Sequence, residues 1–590
     1  MKQDISKDNK KKWLIITPIL LIITILPLIL RMKVLELSTE LQPLWNGSKI
    51  VSDVFSYYKM YFLLVCSIAL IIGFIVNINH VKKIKWNIYI LLLTFYAIFT
   101  FLSTVFSKHV DIALFGFVDR YEGMFVILSY VLLAISCIIF IDKKWEVEAL
   151  YKGLAISAAI IGLIGTLQYV GFDIFRTEFI NNIITPSKYG NIADIVYNFK
   201  PHAVYSTLQN PNYIGSYMAM LFPISIMLFI TSSNRIKTVG YGLLCCVVFL
   251  SLLGSLSRTG IAGALISTVL LIIFYRKRIK IKKVKFISLF FCLILVFTLT
   301  NYVEEFKLLE GSSQYLTDKR DDEISETVVL QNIELLQDSI KIKSNKSELI
   351  ISLKENHLSF IDQYNKELKV KQNGETVVFD DKLYDQYKIT IPAKGGVIRV
   401  EVENLEISFA YTKKAGFQVI KGNGTLADID YPESTGFKFN QGFASSRGYI
   451  WSKTIPMMKK TLLIGNGPDT FIAYFPHNDF VGKLNVFRTI DIVIDKPHNM
   501  YLQTGVNTGF VSLILLLSLF AKYIWNSIKL YKYCRFEDTL EIYGFCSFLA
   551  VCAYLVVGIF NDSVISVAPV FWIFLGVGIA INRKIQAENL

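Results

Sequence analysis

The chain has 590 residues, of which 53% are hydrophobic, and its mean hydropathy of +0.46 excludes a string of soluble domains and places it in the membrane class. The net charge of +14 does not imply a nucleic-acid partner, because Lys and Arg gather in alternate turns between apolar runs and report membrane topology instead. Seven of the eight cysteines fall in those runs, Cys534 falls in a basic loop, and the long polar segment has none, so neither disulfides nor a thiolate metal site is expected.

Apolar runs long enough to cross about 30 Å of hydrocarbon as helix occupy residues 14–30, 61–78, 87–106, 124–141, 154–172, 213–231, 239–257, 259–275, 286–302, 505–525, 542–560 and 566–582. They predict about twelve spans. The first follows lysines but is long for a signal peptide and precedes no small-residue cleavage site, so it reads as an anchor. Residues 239–275 form an almost unbroken run that as one helix would be about 55 Å long, nearly twice the membrane core. The run must turn back, and Gly254-Ser255-Leu256-Ser257-Arg258-Thr259-Gly260 is its one turn-prone stretch, which puts Arg258 at the turn of a hairpin.

Basic residues cluster in the N-terminal tail, at Lys82-Lys83 with Lys85, Lys143-Lys144, Arg235 with Lys237, in residues 276–285 and 522–535, and at Arg583-Lys584. Every second connection is therefore cytoplasmic, and so are both termini. The long polar segment, residues 303–504, is then exported. Between about residues 323 and 430 it carries period-2 runs such as Tyr387-Lys-Ile-Thr-Ile391 and Ile398-Arg-Val-Glu-Val402, separated by Gly and Asn turns. This pattern predicts a small antiparallel β-sandwich that folds alone and is either carbohydrate-binding or a spacer. The expected organisation is helices one to nine in 1–303, the insert in 304–440, a surface segment in 441–504, and helices ten to twelve in 505–590.

Polar motifs fall on one predicted side. Asp119-Arg120-Tyr121-Glu122-Gly123 precedes span four, Asn210-Pro211-Asn212-Tyr213 opens span six, and Arg258 caps the hairpin. Arg447, four residues before Trp451, and Pro497-His498-Asn499-Met500-Tyr501 precede span ten; Asn561-Asp562 joins spans eleven and twelve. Convergence on one face is what a site outside the cytoplasm requires, whereas snorkelling arginines scatter to both faces. Singly, each motif has an ordinary reading: Asn210 and Pro211 as a helix start, Arg258 as a headgroup contact, Trp451 as an interfacial anchor. His477-Asn478 repeats the His-Asn pair, so the dipeptide alone is no signature.

Together, Asn210 to Tyr213, Ser257 to Gly260, Arg447 to Trp451, Gly465 to Gly467 and His498 to Leu502 resemble the O-antigen ligase and polymerase superfamily of bacterial membrane glycosyltransferases. The resemblance covers the helical frame from about Arg120 and the end of the exported segment, not the β-rich insert. It implies an all-α polytopic membrane protein with a GT-C-like helical fold, here of about twelve transmembrane helices with an inserted extracytoplasmic β-sandwich-like domain. It also implies transfer of a glycan from an undecaprenyl diphosphate carrier to a hydroxyl of a glycan, protein or other surface acceptor, at the outer face of the cell membrane, without metal or other cofactor. Under that resemblance Arg258 and Arg447 hold the leaving diphosphate, since guanidinium binds phosphate bidentately, and His498 is the base. Arg120, Asn210, Asn212, Tyr213, Trp451, Asn499 and Tyr501 are secondary contacts with substrate. A transporter would place its ionisable residues near the midplane, and an anchored carbohydrate-binding sensor would leave Arg258, Arg447 and His498 without a role.

Overall fold

A computed structural model of the chain describes all residues except 1, 38, 40, 46, 83–86, 190–198, 200–201, 304–327, 355–356, 393–395, 438–439 and 589–590. Lys83, Lys85, the start of the predicted insert at Glu323 and the turn at Lys394 lie outside the described residues.

All twelve apolar runs are carried by helices. In chain order these are α1 (Lys2–Thr24), α2 (Tyr57–Val76), α3 (Ile88–Val105), α4 (Met124–Phe140), α5 (Lys144–Tyr169), α6 (Pro211–Thr231), α7 (Arg235–Gly254), α8 (Arg258–Ile281), α9 (Lys283–Val303), α10 (Phe510–Tyr531), α11 (Thr539–Val557) and α12 (Ala568–Glu588). Among the described residues ten are long and apolar enough to cross a membrane, and the apolar parts of the other two, Lys12–Leu28 and Met124–Phe140, are shorter. The helices differ in what surrounds them. α6 and α12 are apolar on all sides and almost wholly enclosed by protein, whereas α7, α8 and α9 keep most of their surface outward, as expected of helices whose outer faces meet lipid.

The hairpin turns where the sequence requires it. α7 ends at Gly254, Leu256 takes a positive φ of 51°, and the Ser257 side chain accepts from Gly260 N at 3.2 Å to cap α8. Gly260 lies directly on the backbone of Gly215 in α6, where an added Cβ would stand 2.8 Å from it. That contact seats α8, with Arg258 at its first position, on the start of α6.

The tenth span starts later than the sequence indicates. Residues Met500–Asn507 form a separate eight-residue helix, and the chain breaks before α10 at Gly509, whose φ of +105° only glycine adopts readily. The segment carrying His498 is thus a cap beside the bundle instead of the first turns of a span.

The two ends of the bundle differ in composition. At one end Lys12 meets Asp142 and Glu146, Lys584 donates to Asp142 O at 2.6 Å, and Arg278 donates to Arg535 O at 2.7 Å. The polar motif loops all sit at the opposite end.

At that second end stand a short antiparallel hairpin of β1 (Lys33–Glu36) and β2 (Ile50–Asp53), between α1 and α2, and the β unit. A four-stranded meander of β3 (Leu330–Leu335), β4 (Ser339–Ser344), β5 (Glu348–Lys354) and β6 (His357–Asp362) faces a seven-stranded one. The latter comprises β7 (Val370–Asn373), β8 (Thr376–Phe379), β9 (Tyr387–Thr390), β10 (Val397–Val402), β11 (Leu405–Thr412), β12 (Gly416–Ile420) and β13 (Leu426–Ala427), each antiparallel to its neighbours. Inward residues of both sheets, among them Ile340, Ile351, Ile389, Val400 and Phe409, form one core. The alternation of buried and exposed positions along β10 and β11 is the period-2 pattern of the sequence. This core continues beyond residue 430: Phe480, Val481 and Leu484, from the helix Phe480–Phe487, and Ile490 close it.

Candidate active site

The connection between α11 and α12 is where the polar motifs meet. Gly558 O and Asn561 O accept from Met500 N at 2.8 and 3.0 Å, and Ile559 O accepts from Asn499 Nδ2 at 2.8 Å. Phe560 O accepts from Arg447 Nε at 2.9 Å. Asn561 Nδ2 donates to Ser216 Oγ of α6 and to Thr259 Oγ1, next to Arg258, at 3.1 Å each. Asp562 Oδ2 lies 3.2 Å from His498 Nδ1. Ser563 Oγ donates to Glu122 Oε1 at 2.7 Å. Six consecutive residues thereby tie together four motif loops, one of them as far as 441 positions away.

His498 is held in an unusual posture. Its φ is +51°, a left-handed conformation for a residue with a side chain, between Pro497 and Asn499. Such strain persists only where the surroundings fix it. Here Trp451 Nε1 donates to Pro497 O at 2.8 Å, and Asn499 caps the following helix by accepting from Tyr501 N and Leu502 N at 2.9 Å each. The His498 side chain keeps 35% of its surface exposed, while Asp562 is 2% exposed. Burial alone would raise the Asp562 carboxyl; the adjacent His498 imidazole with its hydrogen bond, and the Lys496 and Arg120 cations, overcome that and hold it below the ordinary carboxylate value.

Arg447 follows three consecutive left-handed residues, Ala444, Ser445 and Ser446. Its Nη1 donates to Ala444 O at 2.8 Å and its Nε to Phe560 O, so two backbone carbonyls fix the guanidinium and leave part of it at the surface. Burial pulls its proton affinity down and Asp562 opposes the pull, but an arginine stays charged throughout. The helix behind it, Phe443–Met457, is braced by Asp479, which receives Tyr449 OH at 3.0 Å and pairs with Lys453 at 3.0 Å. Asp479 also caps the helix Phe480–Phe487 that closes the β core. The β unit and the Arg447 helix therefore share one brace.

Several residues expected to contact substrate are otherwise engaged. Arg120 is fully enclosed, with Nε donating to Asp469 Oδ1 at 2.6 Å and Nη1 to Asp495. It pins two loops and is enclosed by protein, a geometry that suits a structural support. Burial opposes the charge on Arg120, and the two carboxylates more than restore it. Tyr501 spends its hydroxyl on Leu555 O at 2.7 Å. Asn210 caps α6 by accepting from Asn212 N at 2.8 Å, and Asn212 O accepts from Ser216 Oγ at 2.8 Å. The Trp451 ring packs among Phe437, Phe443 and Phe560 instead of anchoring at a membrane interface. Tyr213 does face the cluster, with its hydroxyl 3.3 Å from Lys496 Nζ.

Sequence reading missed Lys496, Asp495 and Asp469. Lys496 stands two residues before His498, 3.6 Å from Asp495. Burial would lower its ammonium, and Asp495, Tyr213 and Asp562 raise it above the ordinary lysine value, so it adds a fixed cation beside His498. The signal available was the run Asp495-Lys496-Pro497-His498 itself. The Gly465-Asn466-Gly467 stretch, one of the motifs that carry the resemblance, supports the same region: Asn466 N and Gly467 N donate to Val506 O and Asn507 O at 3.0 and 2.9 Å. Asp469 follows directly and carries Arg120 and Phe117 N.

His477 has a different role. Its Nε2 lies 2.8 Å from Ile472 O, and burial lowers its titration to about 4, so it is a neutral packing residue.

Fold and site together define a polytopic membrane protein with a charged polar cluster, of both signs, at the end that bears the β unit. The particular resemblance is to the O-antigen ligase and polymerase superfamily: the O-antigen ligase family model matches residues 405–517. That stretch runs from β11 through Arg447, Trp451, Gly465, Lys496 and His498 into α10. No curated protein and no solved structure matches the chain. The match supports a role in glycan transfer of the ligase or polymerase kind.

Proposed function

We propose that the protein is a membrane glycosyltransferase that moves a glycan from an undecaprenyl diphosphate carrier to an acceptor hydroxyl on the outer face of the membrane. The observation that carries this reading is the loop of residues 558–563, which holds Arg447 through Phe560, the turn beside Arg258 through Asn561, and His498 through Asp562.

With Nδ1–H donating to Asp562, the neutral imidazole keeps an Nε2 lone pair. An acceptor hydroxyl loses its proton to Nε2 as its oxygen bonds to the anomeric carbon. The bond from that carbon to the diphosphate oxygen breaks, and the carrier diphosphate departs with its charge spread over Arg258 and Arg447. Lys496 adds a third cation on the same side. Cationic side chains take the part that a divalent ion plays elsewhere, so the reaction runs without metal. Asp562 is a positioning residue, since it acts through His498. Arg120, Asp469 and Asp495 hold the loops, and the β unit steadies the Arg447 helix through Asp479. The acceptor is a glycan, a protein or another surface molecule.

Deletion of the gene in its host, followed by analysis of lipid-linked and surface glycans, tests this reading. Single unpolymerised units on the carrier identify a polymerase and full-length carrier-linked chains a ligase; an unchanged glycan profile overturns the proposal. Labelling of intact cells tests the placement outside the cytoplasm: a tag at Leu256, the exposed residue of the hairpin turn, is reached and one at Lys280 is not.

A further inference from the structure

A polar cavity of about 320 Å³ opens at the end of the bundle that carries the motif loops, where α5 stops. Its walls include Asp173, Arg176, Gln168, His202, Phe172 and Tyr205. Asp173 is their hub. Oδ1 accepts from Gln168 Nε2 at 3.1 Å and Phe175 N at 3.2 Å; Oδ2 accepts from Tyr205 OH at 2.5 Å and Arg176 Nε at 3.1 Å. Gln168 in turn receives Tyr205 N and Ser206 N at 3.2 and 2.8 Å. The wall is therefore rigid before any ligand arrives, and the charges of Arg176 and Asp173 cancel.

His202 is set the same way. Its Nδ1 lies 2.8 Å from Tyr169 O, which only a protonated Nδ1 satisfies, so Nε2 of the neutral ring is an acceptor. Gly171, at φ +90°, lets the chain turn under it, and an added Cβ there would stand 3.5 Å from His202 Cε1. Beside these polar groups Phe172 presents an exposed ring. The cavity is joined to the proposed reaction centre by a short path: Val204 N donates to Gly254 O at 3.2 Å, and Gly254 opens the turn that ends at Arg258.

We propose that this cavity is a saccharide subsite that holds a sugar of the lipid-linked chain away from the reacting end; this rests on the glycan-transfer reading. The volume lies at the small end of the range for ligand pockets, about 300–1,000 Å³. Its charge balance favours an uncharged ligand over a phosphate, which would meet the Asp173 carboxylate. A sugar ring supplies hydroxyls that donate to His202 Nε2 and accept from Arg176, and a C–H face that packs on Phe172.

The test uses full-length protein in nanodiscs and the oligosaccharide released by mild acid from the host's lipid-linked glycan, with binding followed by saturation-transfer NMR and titration. Ala203→Trp fills the cavity without touching its hydrogen bonds and should weaken binding at least about tenfold, equivalent to about 1.4 kcal/mol. His202→Ala, which removes one acceptor, should weaken it less and serves if the tryptophan variant does not fold. Arg258→Lys should bind the released glycan as the wild type does, because this probe carries no diphosphate. Equal binding by wild type, Ala203→Trp and His202→Ala overturns the subsite, as does displacement of the glycan by inorganic phosphate or anionic lipid vesicles. An unchanged glycan profile after gene deletion overturns the transfer reading separately, because glycan binding is measured without turnover.

Discussion

His498 Nδ1 and Asp562 Oδ2 lie 3.2 Å apart, with the carboxylate buried and the imidazole partly open. A base that must present one nitrogen to substrate needs the other held, and Asp562 does this while staying ionised. We expect His498→Ala to lower turnover by about 10²–10⁴-fold with carrier-lipid binding little changed. Asp562→Asn should lower turnover as well, by allowing the wrong tautomer. His477→Ala should leave turnover per folded molecule unchanged and reduce thermal stability, because that side chain is a buried structural contact. A turnover loss in His477→Ala equal to that in His498→Ala would contradict this division of roles.

Arg447 bonds two carbonyls through separate nitrogens, a fork that lysine cannot copy. We expect Arg447→Lys to lose on the order of tenfold to a hundredfold in kcat/KM, the range for losing a hydrogen bond to a charged group of about 1.5–3 kcal/mol. Arg258→Lys, at the first position of α8 and exposed, keeps the positive charge and should lose activity because an ammonium cannot reproduce the bidentate fork on the leaving group. Steady-state assays on purified variants with matched melting temperatures make the comparison; full activity in both lysine variants would remove the arginines from the mechanism.

The spans, the hairpin turn and the β strands were legible in the sequence because each depends on local periodicity and length. Arg258, Arg447 and His498 stood out as candidates because polar groups at span ends are conspicuous against apolar sequence. Their supports did not. Arg120 meets Asp469 across 349 positions and Asp495 across 375, and nothing local to either carboxylate announces the pairing. The same holds for the β core, whose last layer comes from Phe480, Val481 and Leu484 after an intervening helix that the strand pattern does not include. Asn561-Asp562 was visible as a polar break between two spans, but its part as the junction of four loops exists only in three dimensions.

Glu122 is buried, accepts from Tyr130 OH at 2.8 Å and Ser563 Oγ at 2.7 Å, and titrates at about 8 because burial outweighs those two bonds. Its ordinary value is 4.5, so between these two pH values the folded protein holds a proton that the unfolded chain has released. Stability is greatest below that window, falls as pH rises through it, and levels off above it. Thermal melting in detergent across this range should show the decline in the wild type and a flatter profile in Glu122→Gln. Parallel profiles for the two proteins would rule Glu122 out as the source.

Because the β core is closed by Phe480, Val481 and Leu484, residues 328–430 expressed alone would expose an apolar face. A piece running to residue 491 keeps that layer, and also the bond from Gly422 N to Asp491 Oδ1 at 2.7 Å. We expect the longer piece to be monomeric and β-rich by circular dichroism and the shorter one to melt at lower temperature or to aggregate. Within the full chain, Asp479→Asn should loosen the Arg447 helix through Lys453 and Tyr449 and lower activity without changing the spectrum of the β unit. Identical melting of the two pieces would mean that the helix Phe480–Phe487 only rests against the sheets.

Arg120 separates a structural role from a substrate-binding one. Both assignments forecast that Arg120→Met abolishes activity, so the single variant decides nothing. The geometry points to structure, since the guanidinium is fully enclosed and shared by Asp469 and Asp495. Removing one partner of a buried pair leaves the other charge unpaired, at about 3–5 kcal/mol, whereas replacing the ions together by apolar groups of similar volume can be nearly neutral. Arg120→Met should therefore reduce the yield of folded protein sharply. The triple replacement Arg120→Met, Asp469→Leu, Asp495→Leu should recover part of the lost stability, because neither carboxylate is then buried beside an absent guanidinium; the recovery is partial because Lys496 loses Asp495 and Phe117 N loses its acceptor on Asp469. If Arg120 only held the loops, activity per folded molecule should return in part along with stability. Recovery of stability with activity still absent, in a variant whose Lys496 and His498 remain in place, would instead assign the guanidinium, or the two carboxylates with it, to the bound substrate.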